Sequence, residues 1–101
     1  MRSKKQEKEM SLRLRAQLTP RSGAGALKGD LRKKGICRIE AKTTKNKSFS
    51  VTLDMIRKIE EAALPYGEMP VIVIEFNDGN GHKIADIAVI PTYALDILGE
   101  Q

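Results

Sequence analysis

Charged and apolar residues alternate along the segment CRIEAKTT, residues 37–44. If this segment is a β-strand, its side chains point alternately to opposite faces. One face then carries Arg38, Glu40 and Lys42, and the other carries apolar residues that can pack on a core. A carboxylate and an ammonium group on one strand face are typical of a solvated ion pair, but such a pair can also act on a phosphate.

A second carboxylate, Asp30, precedes this segment at the start of a predicted strand, DLR. A tight turn at Lys33–Gly35 would place Asp30 opposite Arg38. Asp30 then shares a face with Glu40 and Lys42, although a shift of one residue would reverse this. Two carboxylates suit a hard cation such as Mg²⁺, and an ammonium group can position water and offset charge on a phosphate. These groups are the minimum set for metal-dependent phosphodiester hydrolysis.

The N-terminal part of the chain is expected to supply a helix and then a loop. Residues 3–17 predict an amphipathic helix, because Met10, Leu14 and Leu18 recur at i+4 spacing. Proline and glycine then interrupt the pattern, which indicates a mobile, glycine-rich loop over residues 18–29.

The second half of the chain predicts a helix over residues 52–64, with Ser50 or Thr52 as its N-cap. PVIVIEF is a near-continuous apolar run, as expected of a strand covered on both faces. NDGNG predicts a hairpin turn, HKIADIAVI a returning strand, and the C-terminus a short helix. This order of elements predicts an α/β sandwich with a mixed central β-sheet flanked by helices, in one domain over residues 1–101.

The charge balance indicates a polyanionic partner. The formal net charge is +5 and the isoelectric point about 9.5, which favours nucleic acid first and an anionic membrane surface second. Most lysine and arginine residues precede residue 48, in the half that contains Glu40 and Lys42. Two tyrosines and two phenylalanines are too few for a base-stacking surface of the kind that binds single strands.

Cys37 is the single cysteine, so the sequence excludes an internal disulfide and indicates a reducing compartment. In the strand pattern Cys37 shares the inward face with Ile39, which predicts a small buried hydrophobe. The charged N-terminus lacks the apolar run of a secretory signal, and no segment has the roughly 18 apolar residues of a membrane span. We therefore expect a soluble protein without membrane partners, located in the cytoplasm (the host cytoplasm if the chain is viral).

The motif GD, followed after a ten-residue gap by E-A-K, resembles the PD-(D/E)xK nuclease signature, with Gly29 where proline often stands. A glutamate-bearing helix, the segment PRSGAG, a second helix and MPVIVIEF surround the motif. This order is similar to small Holliday-junction resolvases of archaea and resolvase-like nucleases of bacterial viruses, over roughly residues 5–78. The resemblance implies a restriction-endonuclease-like fold and a homodimer that cuts branched DNA.

The resemblance also implies roles for individual residues. Asp30 and Glu40 match metal-binding carboxylates for Mg²⁺, with Mn²⁺ as a substitute, and Lys42 matches the catalytic lysine. Ala41 would add its backbone carbonyl as a metal ligand. A helix glutamate would complete the site, and we select Glu7 over Glu9 because Glu7 lies on the apolar stripe of the first helix.

The glycine-rich loop and its flanks would contact the DNA. Arg21 and Ser22 match a loop that approaches the scissile backbone in such resolvases, and Ser22 is counted with the catalytic residues. The basic residues expected to bind DNA are Arg21, Lys28, Arg32, Lys33, Lys34, Lys45 and Lys47. Two other interpretations stay open: a nicking or general nuclease of the same fold, and a non-catalytic basic DNA-binding module whose carboxylates are structural.

Apolar residues are abundant in the C-terminal third, which is almost free of basic residues: Ile87, Val89, Tyr93, Leu95 and Leu98. They exceed what one thin core requires, so we expect some of them to form a two-fold dimer interface. The alternative is that they close the core of the monomer.

Overall fold

The computed structural model describes residues 2–14, 17–18 and 31–99. The elements are, in chain order, α1 (Arg2–Leu14), β1 (Gln17–Leu18), β2 (Leu31–Lys33), β3 (Cys37–Thr44), α2 (Leu53–Ala63), β4 (Met69–Asn77), β5 (Lys83–Val89) and α3 (Tyr93–Gly99). A 3₁₀ turn, Leu64–Tyr66, follows α2. The predicted α/β fold with a mixed sheet is confirmed. Among the residues described, no helix combines the length and apolarity that a membrane crossing requires.

The five strands form one sheet in the order β1-β2-β3-β4-β5. β3 and β4 run parallel, and the other neighbouring pairs are antiparallel. A parallel pair needs a crossover connection, and α2 supplies it. The prediction that the first helix extends to residue 17 is wrong at its end, because residues 17–18 instead pair with β2 as a short edge strand.

Both faces of the central strands are covered by helices. On one face, Met10 of α1 packs with Ile39 and Ala41 of β3 and with Leu31 and Val73. On the other, Ile59 and Ala62 of α2 pack with Ile72 and Ile74 of β4. This double coverage explains why β4 is apolar at almost every position, since each face needs apolar side chains. Cys37 packs against the α1 side with Ile39, as predicted, but it is only partly buried.

The predicted register of the β2–β3 hairpin is wrong by two residues. The observed pairs include Leu31 with Ile39 and Arg32 with Arg38, so Arg38 lies opposite Arg32 and not opposite Asp30. The turn closes one residue later than predicted, and Gly35 adopts a φ of 75° within it. Glycine adopts this left-handed conformation at little cost. A shift of two residues leaves each side chain on its expected face.

Helix α2 begins and ends as its sequence predicts. Thr52 is the N-cap, since its side chain accepts a hydrogen bond from the Met55 amide at 3.2 Å. Gly67 ends the following 3₁₀ turn with a φ of 67°. The apolar stripe of α2 faces β4, and this packing holds the crossover against the sheet.

Candidate active site

The structure brings Glu40 and Lys42 together on one face of β3. Lys42 Nζ lies 3.6 Å from Glu40 Oε1, and the two side chains are 39% and 32% exposed. The contact follows from strand geometry, because residues two apart point the same way. Both groups can therefore reach a ligand from solvent while the backbone beneath them stays fixed in the sheet.

The pair lies beside the apolar contact between α2 and β4. Glu40 is in register with Ile72, and Lys42 with Ile74. Both isoleucines are almost completely buried under α2. A partly exposed ion pair of this kind contributes no more than about 1 kcal/mol to stability, so the fold gains little from it.

Helix α1 contacts the β3 backbone at Lys42 from the opposite face of the sheet. Gln6 Nε2 donates a hydrogen bond to the Lys42 carbonyl at 3.0 Å. Glu7 is buried, whereas Glu9 is exposed, so Glu7 is the inward-facing glutamate of the two. α1 covers the face of Ile39 and Ala41, which is opposite to the face of Glu40. The structure therefore does not place Glu7 on the same sheet face as Glu40, and the role of Glu7 in the site stays a prediction.

The metal-binding prediction involves residues inside and outside the described part of the chain. Asp30, Ser22, Arg21 and Lys28 lie outside the described residues, and the carbonyl role of Ala41 stays a prediction. Within residues 2–14 and 31–99, no group of three His, Cys, Asp or Glu side chains is arranged to hold a metal. Glu40 nevertheless fits Mg²⁺, which takes one or two carboxylates and keeps several waters.

Sequence reasoning missed Glu68, which organises the other end of β3. Arg32 Nε donates to Glu68 Oε2 at 2.6 Å, and Arg38 Nε donates to Glu68 Oε1 at 2.9 Å. The Tyr66 ring lies against both guanidinium groups, with centroid distances of 4.6 and 5.0 Å. Arg38 was the signal in the sequence that could have indicated this carboxylate, because an arginine in a strand covered on both faces needs a carboxylate partner.

Arg38 is completely buried, so the solvated-strand interpretation of residues 37–44 is wrong at its first charged position. The Arg32 side chain is only 15% exposed and binds Glu68. This engagement limits its availability for the predicted DNA contact. The charged face of β3 therefore divides into a structural end at Arg38 and an accessible end at Glu40 and Lys42.

The pKa of Glu68 reflects two opposing influences. Burial by itself would raise this pKa, but hydrogen bonds from the Gly35 amide and the Arg32 and Arg38 side chains outweigh burial and hold it below the usual value. Glu68 is thus ionised at neutral pH, where it offsets the charges of its two arginine partners.

The remaining lysines predicted to bind DNA lie at two ends of β3. Lys33 and Lys34 are exposed at the β2–β3 turn, and Lys45 and Lys47 are exposed beyond its carboxyl end. An eight-residue strand spans roughly 25 Å, so the two groups do not form one local patch. Lys45 and Lys47 lie on the side of Lys42, which makes them the closer partners for a bound phosphate.

Comparison of the chain with protein-family models gives no match, and comparison with curated proteins gives none either.

Proposed function

We propose that the chain is a Mg²⁺-dependent DNA endonuclease that hydrolyses phosphodiester bonds in branched DNA, with the four-way junction as its first candidate substrate. The observation that carries the proposal is the contact between Glu40 and Lys42, 3.6 Å apart on an accessible strand face. The net charge of +5 supports a nucleic-acid substrate. A reducing compartment fits the single cysteine, and we place the protein in the cytoplasm.

In the proposed mechanism Glu40 and Asp30 would hold the metal ion, and Lys42 would orient the reacting groups. When bound, Mg²⁺ would lower the energy of the negative charge that develops on the phosphate. The Lys42 ammonium group carries three donors and no acceptor, so it donates to a phosphate oxygen or to the attacking water. The water oxygen bonds to phosphorus and loses a proton to solvent, while the bond to the leaving sugar oxygen breaks and that oxygen takes up a proton from solvent.

A homodimer would supply the two cuts that resolve a junction, one from each subunit. Four of the five residues predicted for the interface support this, since Ile87, Tyr93, Leu95 and Leu98 are exposed. Val89 instead packs partly against the α2 core. A specific interface of standard size buries about 800 Å² on each partner, and an apolar surface on β5 and α3 is suited to that role.

The alternative from another class is a basic DNA-binding module without catalytic activity. The exposure of the Glu40–Lys42 pair favours this alternative, because an exposed pair can be an ordinary surface ion pair without a catalytic role. A nicking or general nuclease of the same fold would use the same residues without a junction preference.

One experiment separates the three candidates. Supercoiled plasmid and a labelled four-way junction are incubated with the protein in Mg²⁺ and, as a control, in EDTA. Paired cuts in the junction that require Mg²⁺ support the proposal. Nicked plasmid without junction preference supports the general nuclease, whereas binding of both DNAs without cutting supports the DNA-binding module.

A further inference from the structure

A cleft of about 670 Å³ lies where the two parallel strands end. The carboxyl ends of β3 and β4 meet at one edge of the sheet, and ligands of α/β proteins commonly bind in a crevice outside such ends. α1 and the β4–β5 turn form the sides of the cleft. The cleft is lined by Lys5, Thr43, Thr44, Lys45, Asn77 and residues 79–81.

The lining groups are suited to an anion. Lys5 and Lys45 supply positive charge, and none of the described residues that line the cleft carries a carboxylate. Thr44 Oγ1 accepts a hydrogen bond from the Asn46 amide at 3.0 Å, so its hydroxyl proton can be donated to a ligand. Asn77 is buried, and its Oδ1 accepts from the Gly79 amide at 2.9 Å, which leaves its NH₂ group as the donor end.

The carboxylate of the β4–β5 turn, that of Asp78, forms hydrogen bonds within the turn itself. Asp78 Oδ1 accepts from the amides of Asn80 at 2.7 Å and His82 at 3.1 Å, and Oδ2 lies 2.9 Å from His82 Nδ1. These contacts, with the Asn80 amide foremost, hold the pKa of Asp78 below its usual value. The acidic residue of the turn is thus engaged with the turn rather than opposed to an anion in the cleft.

The side chain of Lys45 packs beside Gly79 in the β4–β5 turn. A side-chain carbon added at position 79 would lie 3.7 Å from Lys45 Cδ and 3.8 Å from Lys45 Cβ. The lysine stem therefore runs along the glycine, whose φ of 84° also favours glycine. The stem of Lys45 therefore lies beside the turn at the edge of the cleft.

We infer that this cleft binds a backbone phosphate of a DNA strand, next to the phosphate that is cut. Lys45 lies just past the end of β3, roughly 10 Å along the chain from Lys42. Lys42 is on the sheet face under α2 and the cleft includes Lys5 of α1 on the opposite face, so a DNA strand that reaches both would cross the edge of the sheet where β3 and β4 end. The position relative to the cut rests on the proposed function. The binding of a DNA phosphate rests on the cleft itself: two lysines, hydroxyl and amide donors, and no carboxylate among its described lining residues.

The test compares Lys45→Gln with Lys58→Gln, which also removes one exposed lysine charge but lies on α2 outside the cleft. Binding of a labelled four-way junction is measured by fluorescence anisotropy in EDTA over a series of salt concentrations, so that cutting does not contribute. Each phosphate contact contributes about 0.9 to the slope of log affinity against log salt. We expect Lys45→Gln to reduce the slope by about one contact and Lys58→Gln to leave it unchanged.

Thr44→Val is the second variant, because it removes the hydroxyl donor without changing charge. It should weaken binding several-fold at every salt concentration while keeping the wild-type slope, and circular dichroism confirms that each variant is folded. Wild-type binding by both Lys45→Gln and Thr44→Val, or an equal loss in Lys58→Gln, would overturn the cleft assignment. Titration with inorganic phosphate is the third measurement, and we expect phosphate to displace the junction from the wild type more readily than from Lys45→Gln. Equal displacement from both proteins, with no effect of Lys45→Gln on DNA binding, would also overturn the assignment.

The two proposals fail separately. If the wild-type protein cuts no DNA but Lys45→Gln loses a phosphate contact, the cleft is supported and the nuclease assignment falls. If the protein cuts junctions and Lys45→Gln binds and cuts like the wild type, the nuclease is supported and the cleft assignment falls.

Discussion

Glu40 is the residue on which the proposed chemistry depends most. Its side chain is about one-third exposed and its Oε1 lies 3.6 Å from Lys42 Nζ, so it can bind a cation without unfolding its surroundings. Glutamine has nearly the same shape but no charge, which makes Glu40→Gln a test of the charge alone.

We predict that Glu40→Gln reduces junction cutting at least about 100-fold, the scale of losing one electrostatic group at an active site. DNA binding in EDTA should be unchanged or slightly tighter, because a negative charge near the phosphates is removed. Initial cutting rates and anisotropy provide the two readouts. Glu61→Gln, on an exposed position of α2, is the matched control and should cut normally. Activity of Glu40→Gln within tenfold of the wild type would exclude the assignment.

Glu68 provides a second prediction at the scale of single residues, this time about stability. Its folded-state pKa is lowered, so the folded protein binds fewer protons there than the unfolded chain. The stabilisation is therefore present above the unfolded pKa of about 4.3 and is lost as pH falls through the folded value.

We predict that Glu68→Gln lowers the free energy of unfolding at pH 7 by about 3–5 kcal/mol, the usual cost of breaking a buried ion pair. The difference from the wild type should shrink as pH falls below about 4. Urea unfolding between pH 7 and pH 3 measures both effects. Asp54→Asn removes one partner of an exposed pair with Lys58 and should change stability by less than about 1 kcal/mol. A pH-independent difference for Glu68→Gln would contradict this account.

At the scale of elements, α2 connects the parallel strands β3 and β4. It also covers one face of the sheet. Its start is defined by a single side chain, since Thr52 accepts from the Met55 amide. Both Ser50 and Thr52 are suitable N-cap residues by type, but only one can precede the first helical turn by the correct distance.

We predict that Thr52→Ala lowers stability by about 1 kcal/mol, which corresponds to a fall of roughly 4–8 °C in melting temperature for a domain of this size. Ser50→Ala is the matched control and should melt within about 1 °C of the wild type, because in the structure Thr52 makes the capping contact. Thermal unfolding followed by circular dichroism provides the comparison. Equal melting temperatures for the two variants would show that the cap does not stabilise the helix.

At the scale of the whole molecule, the two long faces of the sheet and the C-terminal surface have different properties. α1 and α2 cover the faces of β3 and β4, whereas β5 and α3 leave several large apolar side chains exposed. Exposed apolar groups cost free energy in water, and an extended patch of them is typical of an interface.

We predict that the protein sediments as a dimer of two 11.2-kDa chains at micromolar concentration. The double variant Leu95→Glu, Leu98→Glu should sediment as a monomer, because it introduces charges into the apolar surface of α3. Leu12→Glu is the control, since Leu12 is 74% exposed and belongs to α1, not to α3 or β5. A monomeric wild type, with and without junction DNA, would exclude paired cutting and leave a monomeric nicking nuclease as the better account.

The sequence by itself determined those features that depend on neighbours along the chain. The period of two in residues 37–44 put Glu40 and Lys42 on one face, and that local geometry does not depend on the rest of the fold. The continuous apolar run of β4 indicated coverage on both faces. The apolar stripe of α2 and the glycine and proline after it set the extent of that helix.

Tertiary structure alone decided features that join distant parts of the chain. Arg32 and Glu68 are 36 residues apart, so no local pattern showed that this arginine would be held by a buried carboxylate. The hairpin register depended on the conformation of Gly35, and a change of one turn residue shifts every pair. The cleft at Lys45 required the ends of β3 and β4, the turn after β4 and α1 to meet. These contacts form only when the crossover through α2 brings β4 beside β3. The residues are far apart in the sequence, so their proximity depends on packing and cannot be seen in a local pattern.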